Sequence, residues 1–222
     1  MTLKRSLDIE TAITKLRETV KPFPKAAMFA LADEGYTSAF EQLIACIISI
    51  RTYDEVSLPV SRRLFAVANT PTEVSQLSLE QIESLIEAST YAKRKAAQIK
   101  TIAETIVSEY DGVLPCDAEV MLSFKGVGVK CSNLTLGIAC GQPHISVDVH
   151  VHRVTNRWGY VRTKTPEQTT ADLATKLPQK YWIKINNLLV PFGKHICTGK
   201  LPRCSSCSLL EMCQQVDVVK HR

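Results

Sequence analysis

Apolar residues along this chain recur mostly at three- and four-residue intervals, the spacing that lines one face of a helix. Tyr181, Ile185, Leu188, Leu189 and Phe192 fall on one such face, and Ile99, Ile102, Ala103 and Ile106 on another. Start signals precede these runs. Ser38 with Glu41 makes a capping box ahead of FEQLIACIISI. Thr70-Pro71-Thr72-Glu73 combines a cap, a first-turn proline and an acid at the third position, and Ser78 with Gln81 and Thr165-Pro166-Glu167-Gln168 repeat the scheme. One segment differs: Ile145, Val147, Val149 and Val151 alternate with Ser146, Asp148, His150 and His152, which is strand spacing. From Val151 the spacing turns helical through Val154 and Trp158, so Asp148 is expected to end an extended approach and cap a helix. There is no hairpin signal between strand-like runs, no repeat and no low-complexity linker. The expected fold class is all-α.

Within this pattern stands Ser123-Phe-Lys-Gly-Val-Gly-Val-Lys130-Cys-Ser-Asn. Asp117 can cap a short helix through Phe124, Lys125 to Val129 form the turn, and a second helix starts near Lys130 with Cys131, Leu134 and Ile138 on its buried side. Glycine allows backbone angles and close approaches that other residues resist. Successive amides at the head of a helix make an anion-binding concavity. Such a helix, G-V-G turn and helix would grip a phosphate backbone without reading bases. A plain packing corner accounts for the turn alone equally well.

Composition narrows the setting. A chain of 222 residues with 22% charged side chains suits one or two folded domains. The formal charge of +5 is compatible with a nucleic-acid partner without requiring one. The longest apolar run, Leu43 to Ile50, is too short for a bilayer, and no apolar stretch follows Lys4 and Arg5 as in a secretory signal. A reducing compartment is therefore expected, in which the eight cysteines would not be disulfides. Cys197, Cys204, Cys207 and Cys213 follow the spacing C-x6-C-x2-C-x5-C. A zinc ribbon usually shows two C-x-x-C pairs across a longer loop, whereas four thiolates of one compact loop can wrap an iron–sulfur cube; spacing alone leaves both open. Cys46, Cys116, Cys131 and Cys140 are scattered in apolar context and are expected to be small core residues. Taken alone, Asp148 is better explained as a cap, and His150 and His152 as surface or hydrogen-bonded histidines than as ligands.

Taken together and in this order, FKGVGVK, the Gly/Pro loop, VDVHVHRV and the four-cysteine spacing resemble the endonuclease III family of DNA base-excision glycosylases. The resemblance runs from the Leu43–Ser49 helix to Cys213. It implies two helical lobes with a DNA-binding cleft between them. One is a six-helix barrel with the helix-hairpin-helix motif, residues 26–142. The other joins residues 1–25 to 143–222 and holds a [4Fe-4S] cluster on the loop 197–213. Lys130 matches the catalytic nucleophile and Asp148 the catalytic aspartate. Gly126, Val127 and Gly128 match the DNA-backbone grip, and Cys197, Cys204, Cys207 and Cys213 the cluster ligands. The implied activity is removal of damaged bases, oxidised pyrimidines above all, from duplex DNA, coupled to β-elimination at the abasic site. The implied setting is a cytoplasmic monomer, nucleoid-associated in a bacterium, with duplex DNA carrying damaged bases or abasic sites as partner and no membrane.

The chain departs from the family pattern in places. Arg51 stands where a glutamine usually fills the gap left by the extruded base, and is expected to contact DNA there. Ile50 and Tyr53 replace small residues, STYAKRKA lacks the glycine usual before its aromatic residue, and Val149 replaces a threonine. These changes bear on lesion and opposite-base preference. Related adenine glycosylases generally lack the nucleophilic lysine, so Lys130 argues against that branch. The alternative from another class is a non-catalytic DNA-binding module with a structural metal loop.

Overall fold

The computed structural model describes residues 6–222, and among them there is no strand. In chain order the α-helices are α1 (Ile9–Val20), α2 (Ala27–Asp33), α3 (Ala39–Ser49), α4 (Asp54–Phe65), α5 (Pro71–Gln76), α6 (Leu79–Leu85), α7 (Ala92–Glu109), α8 (Ala118–Ser123), α9 (Val129–Cys140), α10 (Val149–Trp158), α11 (Pro166–Lys176) and α12 (Lys184–His195). The chain divides into two units, Ala27–His144 and the residues before Ala27 together with Ile145–Arg222.

The Ala27–His144 unit is built around α3. Ser38 accepts from the Glu41 amide while the Glu41 carboxylate accepts from the Ser38 amide, so the capping box forms as the sequence requires. From Phe40 to Ile48 every residue of α3 is buried. A helix buried on all sides is a central strut rather than a surface helix, and α3 packs on α4, α7 and α9. The longest helix, α7, turns Ala96, Ile99, Ile102, Ala103 and Ile106 into the same core. Thr70 and Ser78 cap α5 and α6 with the reciprocal bonds expected of them.

The second unit has its own core. Ala12, Ile13 and Leu16 of α1 pack with Val151, Val154 and Trp158 of α10 and Ile185, Leu189 and Phe192 of α12. The segment before α10 is extended but pairs with no strand; Ile145, Ser146 and Val147 are all buried, so the two-residue alternation reflects an extended lead into a helix cap. Tyr181 lies in a separate 3-10 turn, Gln179–Tyr181, rather than in the helix that carries Ile185 to Phe192. Beyond α12 regular structure shrinks to two more 3-10 turns, Cys204–Ser206 and Leu210–Met212.

The cysteines outside that last segment depart from expectation. Cys46–Cys131 and Cys116–Cys140 are disulfides, with Cα separations of 5.8 and 5.9 Å that suit a bridge. Cys46 and Cys131 are buried, as small core residues would be, but Cys116 is exposed. The fold brings each pair together across 85 and 24 residues, which no local pattern announces. No helix among the described residues is long and apolar enough to cross a membrane.

Candidate DNA-processing site

The glycine turn forms between α8 and α9. Asp117 caps α8 by accepting from the amides of Glu119 at 2.7 Å and Val120 at 3.1 Å. The chain then reverses, with the Val127 amide donating to the Phe124 carbonyl at 3.0 Å and the Val127 side chain buried. Gly126 takes φ +86°, a left-handed conformation that a side chain resists. A Cβ there would also meet Gln98 Nε2 at 3.0 Å, and that same nitrogen donates to the Lys125 carbonyl at 2.9 Å. Gly128 begins α9 without a side-chain cap, and nothing lies within 4 Å of where its Cβ would be. The Val127 amide is thus spent inside the turn, whereas among the described residues no acceptor occupies the amides of Gly126 and Gly128.

Lys130 is the second residue of α9. Its Nζ reaches Cys46 Sγ of α3 at 3.5 Å, and Cys46 is bonded to Cys131, its chain neighbour. The amine therefore rises from a segment tied covalently to the central helix.

Arg51 follows α3 in a left-handed conformation, φ +54°. It lines a cavity of about 400 Å³ with Ile50, Tyr91, Arg94, Lys95, Gln98 and Gly126. Tyr91 is itself left-handed at φ 62° and 59% exposed. Lys95 is the unforeseen residue: it is 4% exposed and donates to the carbonyls of Ile48 at 2.6 Å and Ile50 at 2.8 Å, and to Thr52 Oγ1 at 3.1 Å. Burial lowers its pKa to about 8. Its helical register with Ile99 and Ile102 was the available signal.

In the other unit Asp148 caps α10. Its Oδ1 accepts from the amides of His150 and Val151, both at 2.9 Å, which fixes the carboxylate while leaving Oδ2 outside that pair of bonds. His152 Nδ1 pairs with Thr169 Oγ1 at 2.6 Å, and His150 Nδ1 accepts from Arg153 at 3.0 Å. A Cβ on Gly193 would sit 2.7 Å from that imidazole, so the glycine in α12 makes room for His150. Both histidines are structural here.

Cys197, Cys204, Cys207 and Cys213 are unbridged thiols lining one cavity with Trp158, Phe192 and Leu210. Arg157 and Arg153 organise the approach. Arg157 donates to the carbonyls of Thr198 at 2.6 Å and Gly199 at 2.8 Å and reaches Cys197 Sγ at 3.5 Å; Arg153 donates to the carbonyls of Cys197 at 3.2 Å and Gly193 at 2.9 Å. Burial raises the Cys207 thiol to about 11, and the other three cysteines add to the rise. Burial raises Cys197 as well, opposed by Arg157 and Arg153. An all-thiol donor set flanked by cations suits a soft metal centre of net negative charge. Among the described residues no three His, Cys, Asp or Glu side chains stand together as a site for a single metal ion.

Residues 44–179 match the family model of the HhH-GPD superfamily base excision DNA repair proteins, and the chain belongs to that superfamily. It is 37% identical to Endonuclease III of Thermotoga maritima over 198 residues, covering 89% of this chain and 90% of that protein. With Endonuclease III of Escherichia coli K12 it shares 30% identity over 93% of this chain and 95% of the relative. Among solved structures, a trapped endonuclease III–DNA covalent intermediate matches with TM-score 0.78 at 29% identity, covering 94% of this chain and 97% of the other. A thermostable thymine-DNA glycosylase at 19% identity and TM-score 0.73 shows the same fold.

Proposed function

We propose that this chain is a base-excision DNA glycosylase with abasic-site lyase activity, acting on damaged bases, oxidised pyrimidines foremost, in duplex DNA. The observation that carries the reading is the placement of Lys130 one residue inside α9, directly behind the Gly126–Gly128 turn. The two glycine amides and the head of α9 offer donors to one phosphate of the backbone. Val127 contributes by closing the turn. With the backbone held there and the damaged nucleotide rotated out of the stack, the neutral Lys130 amine attacks the sugar C1′. The C1′–N bond breaks, the base leaves with the bonding pair and takes up a proton, and the amine nitrogen loses one; the C1′–O4′ bond then opens, O4′ is protonated, and a lysine–sugar Schiff base remains. Loss of a proton from C2′ then expels the 3′ phosphate by β-elimination, and water releases Lys130. Asp148, held by two amides, stabilises positive charge developing on the sugar through its remaining oxygen. Arg51 contacts the base left without a partner.

Cys197, Cys204, Cys207 and Cys213 would hold a [4Fe-4S] cluster. Four thiols line one cavity, and four thiolates of one compact loop can wrap a multi-iron group. Its contribution when bound is structural: it orders the loop that carries Lys200 and Arg203 toward a basic surface. The chain is expected to act as a monomer in the cytoplasm, at the nucleoid in a bacterium.

Borohydride reduces a Schiff base to a stable amine, so the wild-type chain should form a permanent link to an abasic duplex. Lys130→Gln should bind the same duplex and give no link. Asp148→Asn should remove bases far more slowly yet still link to a preformed abasic site, where the base has already gone. Strand cleavage by Lys130→Gln at the wild-type rate would remove Lys130 from the chemistry.

A further inference from the structure

A helix leaves its last carbonyls without intrahelical partners, and α3 ends directly before Arg51. Lys95 supplies the missing donors. Its ammonium sits on the carbonyls of Ile48 and Ile50 and on the hydroxyl of Thr52. Thr52 Oγ1 also accepts from the Thr90 amide at 3.1 Å, just ahead of Tyr91. Arg51 is therefore clamped on both sides, at Ile50 and at Thr52, in a left-handed backbone that a non-glycine residue occupies only when its neighbours impose it. A cation placed on helix C-terminal carbonyls also complements the helix dipole.

Gln98 lies one turn further along α7, on the same face as Lys95. Its Nε2 donates to the Lys125 carbonyl and packs where a Gly126 side chain would be. Two residues three apart on one rigid helix thus hold the Arg51 loop and the glycine turn, and all of these groups border the same cavity. Burying Lys95 costs free energy, as its lowered pKa shows.

We infer that Lys95 and Gln98 are positioning residues for specificity: α7 fixes the Arg51 loop against the glycine turn, and that spacing sets how the enzyme discriminates the base opposite the lesion. The inference rests on the proposed role of Arg51. Lys95 and Thr52 act through the loop and touch no DNA; Gln98 acts through the turn.

The test is single-turnover base removal on duplexes carrying one lesion opposite each of the four bases, with DNA affinity and thermal midpoint measured alongside. Lys95→Met and Thr52→Val should change the ratio of rates between opposite bases by about fivefold or more, the size expected for the loss of one or two hydrogen bonds. Affinity for an abasic duplex should stay within about twofold, because the phosphate grip is intact. Thr52→Ser, which keeps the hydroxyl, should restore the wild-type ratio, and Gln98→Ala should shift it in a protein with an unchanged α3 end. In an Arg51→Ala background the Lys95→Met effect on the ratio should vanish. If Lys95→Met does not fold, Thr52→Val with its serine rescue and Gln98→Ala carry the test. If Arg51→Ala changes the ratio but Thr52→Val and Gln98→Ala slow all four duplexes equally, the inference is wrong and the reading of Arg51 stands. If Arg51→Ala leaves the ratio untouched, the reading of Arg51 fails and the inference falls with it.

Discussion

The eight cysteines meet opposite fates in the two units. In Ala27–His144 four of them are joined as disulfides, one pair inside the core between α3 and α9 and one pair at the ends of the α8–α9 segment. In the other unit four remain thiols around a cavity, on a stretch with only short 3-10 turns. The first region is ordered by apolar packing, with α3 buried on every side. The thiol-bearing loop of the second is held by guanidinium–carbonyl bonds from Arg153 and Arg157, and burial raises the thiols of Cys197 and Cys207. One residue type is thus bridged in one unit and unbridged around a cavity in the other.

The largest effect should come from the thiol side. Cys207→Ala removes one of the four proposed ligands from a loop with only short 3-10 turns. Binding of a structural metal contributes on the order of 10 kcal/mol that is also folding free energy. Iron content, helix signal of this unit and base removal should fall together, while hydrogen exchange in α3 and α7 stays protected. A stable, iron-free Cys207→Ala protein with normal cleavage would end the ligand assignment and the contrast built on it.

The disulfide side should respond less. Replacing Cys116 and Cys140 together by serine opens a loop of 24 residues and should cost about 3 kcal/mol of stability by the chain-entropy estimate. Urea unfolding of the wild type and the double variant, both without reductant, measures it: the variant should be the less stable by that amount, and iron content should not change. A drop in iron would mean that the two classes of cysteine are coupled.

How much of this was legible varied with the range of the signal. The capping boxes at Ser38, Thr70 and Ser78 are written in four residues and form as read. The helical class and the DNA-repair family were legible for the same reason, because the caps, the G-V-G turn and the cysteine spacing are contiguous patterns. The disulfides were not, since their partners come together only through packing. Lys95 was hidden directly after Lys93 and Arg94, which are exposed; polarity alone makes the three alike, and only the α7 register separates the buried one. The Tyr181–Phe192 stripe was read as one face of one helix, but the chain breaks after Tyr181, and Trp182 Nε1 turns back to the Leu177 carbonyl at 2.8 Å.

The smallest effects separate capping from chemistry at the two helix starts. Asp148 caps α10 with two bonds, whereas Gly128 begins α9 with none. Asparagine caps about as well as aspartate, but alanine cannot accept the amides, so Asp148→Ala should lose about 1 kcal/mol and Asp148→Asn very little. Base removal should fall strongly in both, because each lacks the charge. Equal activity in Asp148→Asn and wild type would reduce Asp148 to a cap. At Gly128 the logic reverses. Its φ of −104° suits any residue and the space for a Cβ is open, so Gly128→Ser can fold. A serine hydroxyl there can accept from the first-turn amides and should add a few tenths of a kcal/mol to stability. Those amides belong to the proposed phosphate grip, so the same change should weaken binding to an abasic duplex. Calorimetry and a binding titration on one preparation decide it: a more stable protein with undiminished affinity would place the phosphate elsewhere than at the head of α9.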